Sequence, residues 1–143
     1  IDVLEMQLEI KINLILHATE NENRVLEELE NVFHVEQKNF LMEQVLGHFN
    51  NPILLISLKL KKKSAEKFTR VFFSNLKKDD FQKIFENVED YVTSSGLSLR
   101  ISKQKLVSEI VTISKEDTIK ININTPVYVK NETKRIYQEL MKI

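Results

Sequence analysis

The chain has 143 residues, of which 42% are hydrophobic, and this is enough apolar material for the core of one domain over residues 1–143. No apolar run approaches the roughly 18 to 20 residues of a membrane span, and the lack of cysteine excludes disulfide scaffolds and thiolate metal sites. Two glycines cannot form a glycine-rich phosphate loop, and no signal-peptide pattern opens the chain, so we expect a cytoplasmic protein without P-loop chemistry.

The first part of the chain predicts a strand, a helix and a hairpin. Thr19 and Glu22 have the spacing of a capping box, and apolar residues then recur at helical spacing over residues 25–35. The glycine, asparagines and proline of residues 47–52 predict a turn. Strands are predicted at residues 6–17, 40–46 and 53–60.

The second part predicts three helices and three strands. Phe68, Val71 and Phe72 would face inward from the first of these helices, and Tyr137 and Leu140 from the last. Strands are predicted at residues 97–101, 106–113 and 118–124. The helix starts are expected at Ser64, at Asp79 or Asp80, and at Thr125 or Asn131, with Gly96 ending the middle helix.

This order of elements predicts an α+β fold, a mostly antiparallel sheet with helices packed on one face. The other face would stay open to water. Its alternating outward positions are polar and largely basic: Lys11, Asn13, Ser57, Lys59, Lys61, Arg100, Lys120 and Asn122. Such a face suits a phosphate backbone or RNA 2′-hydroxyls, and its lack of aromatic residues argues against recognition of splayed bases. It is equally what the solvated face of an ordinary two-layer protein requires.

The formal charge of zero hides an asymmetry. Residues 1–50 carry ten acidic and three basic side chains, whereas residues 51–143 carry eleven acidic and eighteen basic ones. Because phosphate contacts are local, a neutral total does not argue against a nucleic-acid partner. The alternative is that acidic helices and basic strands neutralise each other.

Two short stretches concentrate positive charge. Lys61, Lys62 and Lys63 join a predicted strand to a helix, where they could contact phosphates or only keep the strand end soluble. Arg100, Lys103, Gln104 and Lys105 form the second stretch, in which the glutamine could hydrogen-bond a base edge or a ribose hydroxyl.

The three histidines do not indicate a metal site. His17, His34 and His48 are too far apart in sequence for a helical ligand pair, and no cysteine completes a zinc site. His17 and His48 could meet at strand ends for acid–base work, but no nucleophile with a neighbouring base is recognisable. We therefore expect no catalytic residue, no metal and no cofactor.

Three motifs give the sequence a family resemblance. They are His17-Ala18-Thr19-Glu20, Gly47-His48-Phe49-Asn50-Asn51-Pro52-Ile53 and Leu99-Arg100-Ile101-Ser102-Lys103-Gln104. On these, the chain resembles, nearly end to end, an archaeal family of RNA-binding-domain proteins regarded as exosome-associated subunits. It differs from that pattern at Asn50, where a glycine is expected, and at Ser102, where an acidic residue is expected. The resemblance implies a fold like ribosomal protein L5 and RNA as partner.

We therefore predict a non-catalytic, cytoplasmic protein that holds structured RNA, with exosome or ribosomal proteins as further expected partners and no membrane contact. A protein–protein adaptor or homodimer is the alternative, using the same face or the strand edge at Lys59 and Lys61. A nuclease using His17 and His48 ranks third. The candidate RNA contacts are Lys11, His48, Asn50, Lys59, Lys61, Lys62, Lys63, Arg100, Lys103, Gln104, Lys105 and Lys120.

Overall fold

The structure, a computed structural model, describes residues 7–17 and 22–143. The strands are β1 (Glu9–His17), β2 (Leu41–Leu46), β3 (Pro52–Lys61), β4 (Val92–Thr93), β5 (Gly96–Ser102) and β6 (Thr118–Asn124). The helices are α1 (Glu22–Phe33), α2 (Lys62–Asn75), α3 (Lys78–Glu86), α4 (Val88–Tyr91), α5 (Lys103–Val107) and α6 (Thr133–Met141). Short 3-10 turns cover Gln37–Asn39, His48–Asn50 and Lys130–Glu132. None of the helices so described has the length and apolar character needed to cross a bilayer.

The strands form one antiparallel sheet in the order β2-β3-β1-β6-β5-β4. Strand β1 lies near the middle and pairs with β3 over its whole length, from Glu9 opposite Lys61 to His17 opposite Ile53. Its pairing with β6 is shorter and ends where Asn13 lies opposite Lys120. Strand β6 therefore diverges from β1 toward the carboxyl end of β1, while β3 stays paired with it.

The helices pack on one face of this sheet. Along β1 the even-numbered residues from Ile10 to Leu16 are buried, and the odd-numbered residues from Lys11 to His17 are exposed. The buried face packs against apolar helix residues, with Leu29 and Phe33 of α1 and Phe68 and Phe72 of α2 among them. Period-2 alternation places one set of side chains in the core and the other set in solvent. The predicted α+β class and the open face are confirmed.

The predicted helix starts were wrong by a few residues. Helix α2 begins at Lys62, so Ser64 lies in its first turn, and no side chain caps α2. Helix α3 begins at Lys78; Asp80 lies in its first turn and accepts hydrogen bonds from the Thr112 hydroxyl and the Ile113 N–H. Helix α6 begins at Thr133, after a 3-10 turn that contains Asn131. The proposed cap at Thr19 and the first residues of the 6–17 strand lie outside the described residues.

Gly96 belongs to a hairpin and does not end a helix. Helix α3 ends at Glu86, and the chain passes through α4 and the two-residue strand β4 before Gly96 begins β5. Gly96 has a φ of 98°, a backbone conformation that favours glycine.

Residues 106–113 do not form the predicted strand. The Ser102 hydroxyl accepts a hydrogen bond from the Lys105 N–H at 3.1 Å, which caps the short helix α5. Beyond α5, Val111 and Ile113 make only single bridges, to Leu76 and Ile101. Of the β-branched residues that suggested a strand, Val111 is buried in the core and Ile113 packs against it.

We expect Gly96→Ala to lower the free energy of unfolding by about 2–4 kcal/mol, because it combines a left-handed φ with a clash. An added Cβ would lie 2.5 Å from the Ile123 carbonyl oxygen and 2.8 Å from Asn124 Cα. Gly47→Ala is the control. Gly47 has a φ of −88°, and an added Cβ would clash with the Ile53 side chain, which can change rotamer, and would lie 3.4 Å from the Asn51 carbonyl oxygen, so we expect a loss of at most about 1 kcal/mol. Urea denaturation measures both, and equal losses would contradict this account.

Candidate nucleic-acid interface

The open face is defined as the sheet residues that point away from the helices. The register brings one residue from each of five strands into a single row across this face. From β2 to β5 the row is Leu41, Ser57, Asn13, Lys120 and Arg100. Residues far apart in sequence therefore form one continuous surface that is apolar at the β2 end and cationic at the β5 end.

Arg100 and Lys120 lie directly opposite each other on β5 and β6. Directly opposed side chains on one face have Cβ atoms about 4.5–5.5 Å apart, and like charges at this spacing destabilise a sheet. Within residues 7–17 and 22–143, neither side chain has an ion-pair partner. A bound anion between the two would remove the repulsion, so this pair favours a phosphate site.

The next row toward Glu9 is more nearly neutral. Lys11 lies opposite Lys59, and Glu9 binds both ammonium groups, at 4.0 Å from Lys11 and 3.3 Å from Lys59. Asn122 is buried, and its side-chain oxygen accepts a hydrogen bond from the Ser98 hydroxyl at 2.7 Å. The predicted lysines are therefore present on the open face, but Glu9 offsets part of their charge.

The open face is concave. A groove of about 700 Å³ follows its centre, from Leu41 and Leu55 at one side to Arg100, Thr118 and Lys120 at the other. Polar side chains of Asn13 and Ser57 lie along the groove between these two ends. This shape and polarity suit a chain of phosphates and sugars crossing the strands.

Lys103 lines the groove, but it is not a free cation on the open face, and its role as an RNA contact stays a prediction. The residue is 4% exposed. Its ammonium donates to the Ile15 carbonyl at 2.6 Å and pairs with Asp117 at 2.8 Å. The sequence concealed this role because Ile15 lies 88 residues earlier in the chain.

The two basic stretches are divided by the fold. Gln104 and Lys105 are exposed on α5, which packs against α1 of the helix layer. Lys61 ends β3 opposite Glu9, where β3 extends past its last pairing with β2 at Ser57. Lys62 and Lys63 are exposed at the start of α2. Only Arg100 of the second stretch and Lys61 of the first therefore belong to the open face.

His48 and Asn50 lie at the tip of the β2–β3 hairpin, beyond the groove. Phe49 between them is 95% exposed and, like Asn50, has a positive φ. Phe49 was not among the candidate contacts, although its place in a turn motif gave a signal; a second exposed aromatic, Tyr128, carried none. No group of three or more His, Asp or Glu side chains suited to a metal ion occurs in the described part of the chain.

Comparisons with known proteins identify the family to which the chain belongs. A family profile described as RNA binding matches residues 9–125, and the chain belongs to this family. It is 32% identical over 126 residues to the RNA-binding protein PAB1135 of Pyrococcus abyssi, covering 83% of this chain and 82% of that protein. It is 28% identical over 135 residues to the uncharacterized protein MJ0213 of Methanocaldococcus jannaschii, covering 89% and 91% of the two chains.

The fold is also shared with a solved structure. The crystal structure of AF2318 from Archaeoglobus fulgidus matches with a TM-score of 0.76, 24% identity, and coverage of 92% of this chain and 97% of that one. At this identity the match establishes the fold alone.

We expect Lys103→Met to lower the free energy of unfolding by about 1–3 kcal/mol, because the Ile15 carbonyl would be left without its charged donor. Lys105→Met removes the same charge from an exposed position and should change stability by less than about 0.5 kcal/mol. Thermal or urea unfolding of the two variants provides the measurement. If both variants match the parent protein, the buried ammonium has no structural role.

Proposed function

We propose that this protein is a non-catalytic RNA-binding protein that holds structured RNA on its open face. The observation that carries the proposal is the Arg100–Lys120 pair, two opposed cations without an acidic partner among the described residues. Membership in the RNA-binding family and the identity to PAB1135 support RNA as the anion. The groove beside the pair supplies a path for the rest of the backbone.

The mode of binding we propose is contact with the backbone and sugars. Arg100 and Lys120 would neutralise phosphates, and Asn13 and Ser57 would hydrogen-bond 2′-hydroxyls along the groove. The described strands carry no Phe, Tyr or Trp side chain on the open face, and the one imidazole there, His17, lies at the end of β1, so the face offers little surface on which bases can stack. A helical RNA, which displays its phosphates and 2′-hydroxyls on the outside, fits these contacts better than a splayed single strand.

Three finer expectations accompany this proposal. The family resemblance predicts association with the exosome or the ribosome, a fold of the ribosomal protein L5 type, and a cytoplasmic location. Membership in the RNA-binding family supports RNA as the class of partner that the first expectation requires. Copurification of exosome or ribosomal proteins with the tagged chain, before and after ribonuclease treatment, tests the first of them.

Reversing the charge of Arg100 and Lys120 to Glu should weaken binding of an RNA duplex about tenfold or more at low salt. The slope of log K against log salt should become less steep by roughly 1 for each phosphate that the variant no longer neutralises. Lys134→Glu, on the exposed side of α6, is the matched control and should leave both quantities almost unchanged. Fluorescence anisotropy across a salt series gives the two values.

An unchanged affinity and slope in the Arg100 and Lys120 variant would show that the open face does not hold RNA. A change in RNA length during these incubations, abolished on replacing His17 and His48 by Ala, would favour the nuclease alternative.

A second candidate function is self-association through β2, the outer strand of the sheet. Both faces of β2 are exposed, with Leu41, Met42 and Leu46 at 74%, 49% and 69% exposure. A long exposed apolar edge is a template for pairing with another strand. If two copies met about a two-fold axis at Gln44, Met42 would lie opposite Leu46, and Glu43 opposite Val45, with no like charges opposed.

If this pairing occurs, Met42→Glu combined with Leu46→Glu should convert a dimer to a monomer in sedimentation equilibrium, because the two introduced carboxylates would lie opposite each other as like charges. Val129→Glu changes an equally exposed apolar residue far from β2 and should leave the mass unchanged. A parent protein that is monomeric throughout would exclude this candidate.

A further inference from the structure

A notch lies at the outer edge of β5, next to the open face. Strand β4 pairs with β5 only at Gly96 and Leu97. The chain returns to this edge further along, where the Ser114 N–H donates to the Arg100 carbonyl and the Ser102 N–H donates to the Thr112 carbonyl, both at 2.9 Å. Between the pairing with β4 and the hydrogen bond at Arg100, the edge of β5 has no neighbouring strand, and a cavity of about 310 Å³ lies there.

The side chains around the notch are three cations, three hydroxyl groups and the apolar side chain of Ile113. Lys83 comes from α3, Tyr91 from α4, Ser98 and Arg100 from β5, and Ser114 and Lys115 from the segment before β6. Among the described residues, none of the three cations has an ion-pair partner. Three separate parts of the chain thus direct positive charge and hydrogen-bonding groups to one place.

Two acidic residues lie close enough to affect the notch. Burial, followed by the nearby carboxylates of Asp90 and Asp80, raises the pKa of the Tyr91 hydroxyl above its ordinary value. A tyrosine hydroxyl is protonated at neutral pH even at its ordinary pKa, so Tyr91 can donate a hydrogen bond. Oδ2 of Asp80 accepts hydrogen bonds from the Thr112 hydroxyl and the Ile113 N–H. Within the described residues, neither of the two carboxylates forms an ion pair with a cation of the notch.

Arg100 lines both the notch and the groove of the open face. An RNA strand held in the groove would therefore reach the notch by passing the Arg100 side chain. On the basis of the proposed function, we propose that the notch binds one unpaired nucleotide of an RNA whose helical part lies on the open face. The protein would then recognise the junction between a helix and a single-stranded end.

The size and chemistry of the notch fit a single nucleotide. Its volume of about 310 Å³ is at the small end of ligand sites in proteins. Tyr91 and Ile113 offer apolar surface to the faces of a base. The Ser98 hydroxyl donates its hydrogen to Asn122 and the Ser114 hydroxyl donates to the Glu116 carbonyl, so toward the edge of a base both act as acceptors. Lys83 and Lys115 are placed for the flanking phosphates. The described strands place no Phe, Tyr or Trp side chain on the open face, so Tyr91 of the notch would supply a stacking surface of a kind that the sheet lacks.

The experiment compares two RNAs that share one duplex of about 16 base pairs, the length that typical double-strand binders span. One duplex is blunt, and the other carries a short single-stranded extension. We expect the parent protein to bind the extended RNA about tenfold more tightly, the usual effect of stacking one base. Tyr91→Leu should abolish this advantage and leave binding of the blunt duplex unchanged, whereas Tyr91→Phe should preserve it.

Matched controls are available in the same chain. Tyr128→Leu removes an exposed tyrosine outside the notch and should preserve the advantage of the extended RNA. Because Tyr91 is partly buried, Lys83→Glu combined with Lys115→Glu provides a second test at exposed positions and should also abolish the advantage. An amide NMR spectrum shows that each variant is folded.

Equal affinity of the parent protein for the two RNAs, or equal weakening of both by Tyr91→Leu, would overturn the inference. Salt-dependent binding of the blunt duplex that needs Arg100 and Lys120 would then still support the proposed function. If neither RNA binds, the proposed function fails, and NMR titration with a nucleoside monophosphate tests the notch alone. Shifts at Tyr91 and Ser114 with the nucleotide support the site, and the same shifts with inorganic phosphate alone overturn base binding.

Discussion

The strict alternation of β1 is the constraint on which the rest of the structure depends. This strand contributes Ile10, Ile12, Leu14 and Leu16 to the core, and its pairing with β3 and β6 fixes which residues of those strands are buried. A slip of one residue in either pairing would bury Lys59 or Lys120 and expose the neighbouring apolar residue. The register that buries apolar residues against the helices therefore also determines which side chains lie on the open face.

The open face contains cations with an acidic partner and cations without one. Glu9 offsets part of the charge of Lys11 and Lys59, and Asn122 accepts a hydrogen bond from Ser98. Arg100 and Lys120 have no such partner among the described residues. Because opposed cations reduce the stability of a sheet, this pair and the polar groove beside it are the basis on which we propose an anionic partner.

The sequence was informative where the position of a residue follows from a local pattern. Alternation in β1, β3, β5 and β6 is enough to identify the open face and to place Arg100 and Lys120 on it. The sequence was uninformative where distant partners decide. The burial of Lys103 depends on the Ile15 carbonyl, and the helix at 103–107 depends on a cap by Ser102, whereas propensity alone favoured a strand nearby. Propensity is a weak guide when tertiary contacts compete with it.

The notch could not have been found in the sequence for a related reason. Lys83, Tyr91, Ser98 and Lys115 lie on four different segments and share no motif. They meet only because β4 is two residues long and leaves part of β5 without a neighbour. A short strand is normally regarded as a way to limit aggregation at a sheet edge. Here it also exposes a patch of side chains that a longer strand would cover.

The contact between Lys103 and Ile15 has a consequence for the centre of the sheet. Strands β1 and β6 stop pairing after Asn13 and Lys120, and the ammonium of Lys103, the first residue of α5, donates to the Ile15 carbonyl in place of a ladder partner. A buried backbone carbonyl needs such a donor or a water molecule. The same ammonium pairs with Asp117 just before β6, and Lys103 lines the groove at this point. One buried lysine therefore bridges the two strands where their ladder ends.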